Sequence, residues 1–338
     1  MNNIQLAHGS GGQAMQQLIN SLFMEAFANP WLAEQEDQAR LDLAQLVAEG
    51  DRLAFSTDSY VIDPLFFPGG NIGKLAICGT ANDVAVSGAI PRYLSCGFIL
   101  EEGLPMETLK AVVTSMAETA RAAGIAIVTG DTKVVQRGAV DKLFINTAGM
   151  GAIPANIHWG AQTLTAGDVL LVSGTLGDHG ATILNLREQL GLDGELVSDC
   201  AVLTPLIQTL RDIPGVKALR DATRGGAAAV LNEIAGQAQI GIIVEEDKIP
   251  VRKEVRGFCN ILGFDPLCLA NEGKLIAFVN KNDTSKILDI MHKNKYGKDA
   301  CIIGTTNDKA AGEVALKTTI GGIRIIDMPA GEQIPRIC

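Results

Sequence analysis

The sequence predicts an α/β protein of two domains, in which helices and strands alternate. Its 338 residues are about twice the length of a typical domain. Hydrophobic residues make up 47% of the chain and charged residues 20%, so there is enough apolar side chain to bury a core. The alternation restarts after a polar segment at 154–167, which predicts a first domain at 1–155, a second at 165–326 and a tail at 327–338.

The first half begins with a glycine-rich segment, HGSGG at 8–12, that leads into an amphipathic helix. The alternation of Leu53, Phe55 and Thr57 then predicts a strand that ends near Asp58. The remaining predicted elements of this half are a small-residue helix at 72–88, a strand at 93–100, a long helix at 106–123, a buried strand at 125–128 and a strand at 144–150.

The second half begins with a buried strand, VLLVSG at 169–174, before GDHG opens a helix. RDATRGG at 220–226 follows a helix near 206–210, and its glycines precede another helix. Asp283 is the expected N-cap of a later helix. Short strands are predicted at 240–244, 275–279 and 301–304.

Composition argues against several classes of protein. A formal net charge of −10 disfavours binding to nucleic acids or anionic membranes. The sequence has no apolar run near the length of a membrane helix, and it begins without the basic and apolar regions of a signal peptide. Its 7 cysteines form no CxxC pair, and no histidine stands at zinc-ligand spacing from one of them. We expect reduced thiols and a cytoplasmic protein.

Four aspartates lie at the ends of predicted apolar strands or in glycine-rich turns: Asp58, Asp83, Asp131 and Asp221. Each by itself fits a helix cap or a turn. Together they favour a site for Mg²⁺ and a nucleotide, because Mg²⁺ takes one or two carboxylates plus phosphate oxygens and glycine turns supply N–H groups to phosphates. The chain lacks the GxxxxGK[ST] motif of P-loop proteins.

Four further features admit two interpretations each. HGSGG is either a cover for phosphates or a flexible lead-in. Lys133 either contacts a phosphate or is a solvated surface lysine, and Glu272 is either a residue of a cleft or a surface turn residue. Cys338 stands at the end of the sequence, on a tail expected to be extended and mobile, and its thiol is either reactive or a chance occurrence.

Taken together, these motifs resemble the HypE family of hydrogenase expression/formation proteins, which are carbamoyl dehydratases. The resemblance spans the whole chain and rests on HGSGG, TDSYVIDPLFFPGGNIGKLAICGTANDVAVSGA, TGDTKVV, DATRGG, NEGK and the final PRIC. The family belongs to the superfamily of aminoimidazole ribonucleotide (AIR) synthetase, with its PurM-like fold. The resemblance therefore implies an N-terminal α/β domain that dimerises through its strands and a C-terminal α+β domain.

The resemblance also implies a set of site residues. Cys338 would receive a carbamoyl group, with Glu272 as the base and Lys133 near the developing oxyanion. ATP and Mg²⁺ are the implied cofactors, with Asp58, Asp83 and Asp221 as metal ligands. The implied nucleotide-binding residues are Gly11, Gly12, Asp58, Asn82, Asp83, Asp131, Thr132, Asp221, Thr223 and Arg224.

The implied reaction converts the thiocarbamate on Cys338 into a thiocyanate, which supplies cyanide ligands to the iron of [NiFe] hydrogenases. The implied partners are a second copy of the chain, a carbamoyltransferase that loads Cys338 and an iron-scaffold complex that accepts cyanide. Two other functions stay open on the residues alone. One is an ATP-dependent synthetase or kinase of the same superfamily that acts on a free small molecule, and the other is a non-catalytic thiol carrier that binds nucleotide as a switch.

Overall fold

The computed structural model describes residues 2–190 and 196–329. Cys338 and most of the predicted tail lie outside the described residues. The chain divides into two compact units. The first comprises Met1–Phe66, Gly70–Val84 and Ala89–Pro154, and the second Phe67–Gly69, Ala85–Gly88 and Ala155–Cys338.

A four-stranded sheet with the order β1-β6-β4-β5 forms the framework of the first unit. Strands β4 and β5 are parallel, and the other neighbours are antiparallel. The strands are β1 (Arg52–Tyr60), β2 (Phe66–Phe67), β3 (Gly70–Asn71), β4 (Tyr93–Glu101), β5 (Ala126–Val135) and β6 (Leu143–Ile153), of which β2 and β3 pair separately. The helices are α1 (Gln13–Leu18), α2 (Pro30–Ala33), α3 (Leu43–Glu49), α4 (Ile72–Val86) and α5 (Met106–Ala123).

Helix α4 covers one face of this sheet, and Trp31 of α2 and Leu46 of α3 pack against Tyr93 and Ala152 on part of the other face. The Tyr60 hydroxyl and Thr80 Oγ1 lie 3.0 Å apart, and Thr80 Oγ1 lies 2.6 Å from Thr147 Oγ1, which joins α4 to β1 and β6. Helix α5 buries its apolar side and ends at Gly124, whose φ of 70° is the left-handed conformation that glycine adopts readily. Phe23, in the π-helical turn Ile19–Met24 that continues α1, packs 5.0 Å from the Phe98 ring.

A seven-stranded sheet with the order β13-β12-β9-β11-β7-β10-β8 forms the second unit. Its strands are β7 (Val169–Val172), β8 (Val216–Asp221), β9 (Gly241–Glu245), β10 (Leu275–Val279), β11 (Cys301–Asn307), β12 (Val314–Lys317) and β13 (Ile323–Ile325). Its helices are α6 (Asp178–Arg187), α7 (Thr204–Gln208), α8 (Gly226–Ala238), α9 (Lys253–Leu262) and α10 (Thr284–His292). Strands β7 and β10 are buried on both faces, between two apolar clusters.

Several predicted elements of the first half end at different residues in the structure, among them the strand predicted at 144–150, which is β6 (Leu143–Ile153), and two of these differences have a clear cause. The strand predicted at 125–128 runs from Ala126 to Val135, because β4 pairs with it as far as Val135. The helix predicted at 72–88 ends at Val86, and Gly88 has a φ of 91°, which does not continue a right-handed helix. Within the described ranges, no helix is both long and apolar enough to cross a membrane.

Candidate active site

Asp58 on β1 and Asp83 on α4 both lie on the face of the first sheet that α4 covers. The Ser56 hydroxyl donates a hydrogen bond to Asp83 Oδ2 at 2.7 Å, which ties β1 to α4. Asp58 is two residues after Ser56 on the same strand, and alternation puts both side chains on the face that α4 covers. Asn82, beside Asp83 on α4, is buried. The pair of carboxylates is the donor type that Mg²⁺ prefers, so these residues fit the implied ion.

The TGDTK segment lies on the outer strand at the opposite edge of this sheet. Thr132 is buried, whereas Asp131 and Lys133 are exposed on the other face of β5. Lys133 Nζ lies 3.9 Å from Asp131 Oδ2, and about two thirds of each side chain is exposed (67% and 65%). Because β1 and β5 are three strand spacings apart, about 14 Å separates Asp58 from this segment.

The glycine-rich segment packs against β5 close to Lys133. A Cβ on Gly9 would lie 2.6 Å from the backbone nitrogen of Val134, so only glycine permits this approach. His8 is buried, and its Nδ1 accepts a hydrogen bond from the Gln5 N–H at 2.9 Å. Gly12 is the N-cap of α1, and both Gly11 and Gly12 are exposed. The structure thus brings HGSGG and TGDTK together.

The expectation that all four aspartates follow strands or lie in turns was wrong for three of them. Asp58 and Asp131 lie inside β1 and β5, since their neighbouring strands continue the pairing beyond them. Asp83 lies on α4, and only Asp221 ends a strand, β8. No group of three or more His, Cys, Asp or Glu side chains in the described part of the chain could hold a metal ion. The set Asp58, Asp83 and Asp221 stays a prediction.

Glu272 lies in a loop whose backbone is held by a buried carboxylate. Asp199 Oδ1 accepts a hydrogen bond from the Glu272 N–H, and Asp199 Oδ2 accepts one from the Gly273 N–H, both at 3.1 Å. The Ala201 N–H donates to the Glu272 carbonyl at 3.2 Å. Glu272 is only 6% exposed, so it is not a surface turn residue.

Asn271 connects the NEGK and DATRGG segments. Its backbone N–H and its Nδ2 both donate to the Ala222 carbonyl, at 2.9 and 3.2 Å, while the Ala222 N–H donates to the Lys274 carbonyl at 3.3 Å. Asn271 Oδ1 accepts from the Gly177 N–H at 2.8 Å, which adds the GDHG turn. Asp221 pairs with Leu275 in the sheet. Three segments that are distant in sequence are therefore fixed together.

The DATRGG turn needs both of its glycines. Gly225 and Gly226 have φ values of 74° and 61°, and Gly226 is the first residue of α8. The Gly226 N–H donates to the Thr223 carbonyl at 2.9 Å, which closes the turn that carries Thr223 and Arg224. The turn presents the N-terminus of α8, a place where backbone N–H groups are available to anions.

Buried charges surround this loop. Lys274 Nζ lies 3.5 Å from Asp199 Oδ2 and 3.6 Å from Asp178 Oδ2. Burial raises the pKa of the Asp178 carboxyl, whereas the Thr175 hydroxyl and Lys274 oppose that change. Burial lowers the pKa of His179 to about 4, so the ring is neutral near pH 7, and its Nδ1 lies 2.8 Å from Ser198 Oγ. The second unit therefore holds a preorganised polar site.

Three residues of this site were not predicted from the sequence: Asp178, Asp199 and Lys274. Lys274 belongs to the NEGK motif and Asp178 to the GDHG segment, so both could have been predicted as site residues from these motifs. Asp199 had no local signal, because it contacts Glu272 across 73 residues of sequence.

Family comparisons agree with the two-unit architecture. The N-terminal domain model of AIR synthase related proteins matches residues 35–153, and the C-terminal domain model matches residues 165–317. The chain is 80% identical, over 100% of both chains, to a carbamoyl dehydratase HypE of Escherichia coli strain K12.

Two solved structures are also similar. One is a hydrogenase maturation protein HypE in complex with ATP, with 48% identity, a TM-score of 0.93 and coverage of 99% of both chains. The other is a HypE–HypF complex, in which the matched chain has 45% identity and a TM-score of 0.80, with coverage of 92% of this chain and 99% of that one.

Proposed function

Because the chain belongs to the HypE family of carbamoyl dehydratases, we propose that it dehydrates an S-carbamoyl group on Cys338 to an S-cyano group in an ATP-dependent reaction. The family and the PurM-like two-domain fold predicted from the sequence are confirmed. The product would supply cyanide ligands to the iron of [NiFe] hydrogenases, through an iron-scaffold complex that accepts the cyano group.

The proposed reaction removes the elements of water from the thiocarbamate. Loading joins the Cys338 sulfur to the carbamoyl carbon, with loss of the thiol proton and of the donor's leaving group. Dehydration then breaks the carbon–oxygen bond and both nitrogen–hydrogen bonds, leaving S–C≡N. ATP supplies the phosphoryl group that makes the carbamoyl oxygen a leaving group, so the oxygen ends in inorganic phosphate beside ADP.

Glu272 is proposed as the base that takes the nitrogen protons. One observation carries this assignment: the residue is buried, and Asp199 and Ala201 hold its backbone in a single position. A base whose backbone is fixed in this way loses little freedom when it meets the nitrogen of the carbamoyl group.

Lys133 is proposed to stabilise negative charge on the carbamoyl oxygen. Its ammonium is exposed on β5 and lies 3.9 Å from Asp131 Oδ2. The next residue, Val134, packs against Gly9 of the glycine-rich segment. That location supports a role toward an anionic group bound at this edge of the first unit.

Asp58 and Asp83 are proposed to hold Mg²⁺ with the phosphates of ATP. This proposal is supported by the location of both carboxylates on the sheet face that α4 covers. A structure of a HypE in complex with ATP supports nucleotide binding in the family. Gly11, Gly12, Thr132, Thr223 and Arg224 stay proposed nucleotide contacts, as does Asp221. Mg²⁺ would offset charge on the transferring phosphoryl group.

Two partners are also proposed. The crystallised HypE–HypF complex supports a carbamoyltransferase that loads Cys338. A second copy of the chain is the other, and the face of the first sheet opposite α4 supports it, because Leu53, Phe55 and Ile99 are exposed on the part of that face that α2 and α3 leave open.

Nucleotide turnover in the presence of the carbamoyltransferase, carbamoyl phosphate and ATP tests the proposed function. Wild-type protein should release ADP only after Cys338 is loaded, and Cys338→Ala should bind ATP with unchanged affinity but release none in response to loading. Equal turnover by Cys338→Ala would instead favour a kinase or synthetase of a free small molecule. Loading without any turnover would favour a thiol carrier.

A further inference from the structure

The last described residues of the chain lie along helix α8. Ile326 is 3% exposed, its N–H donates to the Val314 carbonyl at 2.8 Å, and its carbonyl accepts a hydrogen bond from Asn232 Nδ2 at 3.0 Å. Three residues later, the Pro329 ring lies near the beginning of the helix, since a Cβ on Gly225 would be 3.8 Å from Pro329 Cγ. These two contacts with α8 fix the direction in which the segment runs.

The segment runs toward the N-terminus of α8 as an extended chain. Asn232 and Gly225 are seven residues apart, which is about 10 Å along a helix axis, and the three residues from Ile326 to Pro329 cover about 10 Å only when they are extended. Gly225, Ala229 and Asn232 are spaced i, i+4 and i+7, so they lie on one side of the helix. We call these three residues the α8 track.

The Asn232 amide binds the carbonyl of the buried residue Ile326. Asn232 Nδ2 carries two hydrogens, and it donates to the Ala228 carbonyl at 2.9 Å as well as to the Ile326 carbonyl. The bond to Ala228 orients the amide, because it returns to the same helix one turn earlier. Asparagine is otherwise a poor residue for a helix interior. Without this donor, the Ile326 carbonyl would have to turn toward water, and the direction of the following chain would change.

The path along α8 ends at a turn that is joined to Glu272. Pro329 lies at the DATRGG turn, whose Ala222 carbonyl accepts a hydrogen bond from the Asn271 N–H at 2.9 Å, and Glu272 is the next residue. Nine residues follow Pro329, up to and including Cys338, and nine extended residues span about 30 Å. The Glu272 backbone lies within that distance of Pro329, because only the turn and one hydrogen bond lie between them.

We infer that the α8 track directs the end of the chain toward Glu272, and that Asn232 is a positioning residue for the dehydration step. The inference rests on the proposed function, since it needs Cys338 to carry the carbamoyl group and Glu272 to be the base. Contact of residues 327–329 with α8 leaves nine residues instead of twelve between the last fixed point and the end of the sequence. The shorter connection, which begins at the DATRGG turn, raises the local concentration of the carbamoyl group at Glu272.

Separate measurements of loading and dehydration test this role. Asn232→Leu is similar in size but has no donor, so it should load at the wild-type rate and convert thiocarbamate to thiocyanate about three- to tenfold more slowly, as expected for one lost hydrogen bond. Its affinity for ATP should not change. Gln237→Leu, which removes an exposed amide from the same helix, is the matched control and should behave as wild type in both steps. Rapid-quench mass spectrometry follows the two steps.

Pro329→Gly tests the same path at the other contact. It removes the ring beside Gly225 and gives the segment more freedom without changing the helix, so it should slow dehydration about two- to fivefold and leave loading unchanged. Because each variant releases the same segment, Asn232→Leu/Pro329→Gly should be about as slow as the slower single variant. A double variant whose loss is the product of the two single losses would show independent roles and overturn the inference.

The remaining contrary outcomes separate the inference from the proposed function. Wild-type dehydration by Asn232→Leu, in protein shown to be folded by circular dichroism, overturns the positioning role and leaves the proposed function standing. Weaker ATP binding by Asn232→Leu assigns it a structural role and also overturns the inference. If Asn232→Leu does not fold, a wild-type rate in Pro329→Gly overturns it instead. A wild-type chain whose Cys338 never passes from thiocarbamate to thiocyanate overturns both proposals.

Discussion

Asp199 Oδ1 accepts a hydrogen bond from the Glu272 N–H at 3.1 Å, although 73 residues separate the two in the sequence. The second oxygen accepts from Gly273 and lies 3.5 Å from Lys274 Nζ. One buried carboxylate thus fixes three successive residues of the NEGK loop. In the proposed mechanism, Asp199 positions Glu272 and does not itself contact the carbamoyl group.

Replacing Asp199 should slow dehydration while ATP binding and loading persist. We expect Asp199→Ala to lower the rate at which thiocarbamate becomes thiocyanate at least tenfold, because the loop loses both acceptors. Asp199→Asn keeps one acceptor and should be less impaired. Rapid-quench mass spectrometry of pre-loaded protein measures the rate, with the exposed Asp212→Asn as control. A wild-type rate in Asp199→Ala would contradict the positioning role.

Asp83→Ala should weaken the binding of Mg²⁺–ATP. Loss of one carboxylate contact to a bound ion is expected to cost about 1.5–3 kcal/mol, roughly ten- to a hundredfold in affinity. Isothermal calorimetry measures this, and Asp51→Ala, an exposed aspartate next to β1, is the control. If a folded Asp83→Ala protein binds with unchanged affinity, Asp83 has a structural role only.

His179 should make the wild type less stable in mild acid. Burial is the main cause of its lowered pKa, the charge of Asp199 opposes this change, and the charge of Arg187 adds to it. Between its ordinary pKa of 6.5 and the folded value of about 4, the unfolded chain binds the proton that the folded chain excludes. Stability from the neutral ring is therefore complete above pH 6.5 and falls by about 3 kcal/mol as the pH drops to 4.

The matched variant for this prediction is His179→Asn, which retains a polar atom near Ser198. Urea unfolding at pH 7, 5.5 and 4 should show the stability advantage of the wild type shrinking as the pH falls. An advantage that stays constant across this range would mean that His179 is protonated in the folded protein or accessible to water.

Two glycines of α8 should respond oppositely to alanine. At Gly226, a Cβ would lie 2.4 Å from the Leu267 carbonyl oxygen and 2.5 Å from that of Leu269, and the φ is positive. We expect Gly226→Ala to lower the free energy of unfolding by at least about 3 kcal/mol. A Cβ on Gly236 meets nothing within 4 Å, so Gly236→Ala should stabilise by up to about 1 kcal/mol. Urea unfolding that ranks the two in the other order would contradict this account of the DATRGG turn.

Elements whose signal is local could be predicted from the sequence. Helix α5 begins at Met106 and ends at Ala123 as predicted, because its apolar spacing and the following Gly124 are contained in the segment itself. Strand β10 was also predicted with its observed bounds, Leu275–Val279, because it is a short run of apolar residues. The seven residues that extend β5 to Val135 are polar or mixed, and their strand conformation comes from pairing with β4.

The residues of the candidate site that belong to a sequence motif could be predicted. NEGK and DATRGG drew attention to Glu272 and Asp221, and the structure joins their loops through Asn271 and Ala222. Asp199 could not be predicted, because a single aspartate outside any helix, strand or motif gives no sequence signal. Its contact with the Glu272 N–H forms only when the chain folds. The role of Cys338 stays a prediction, since the residue lies outside the described part of the chain.

The mass of the peptide that contains Cys338 tests the central claim most directly, in wild type and in Glu272→Gln. After incubation with the carbamoyltransferase, carbamoyl phosphate and ATP, wild-type peptide should pass from about 43 Da to about 25 Da above the unmodified thiol, as carbamoyl becomes cyano. Glu272→Gln should load normally and accumulate the species at about 43 Da, because no base removes the nitrogen protons. Conversion of Glu272→Gln at the wild-type rate would contradict the role of Glu272.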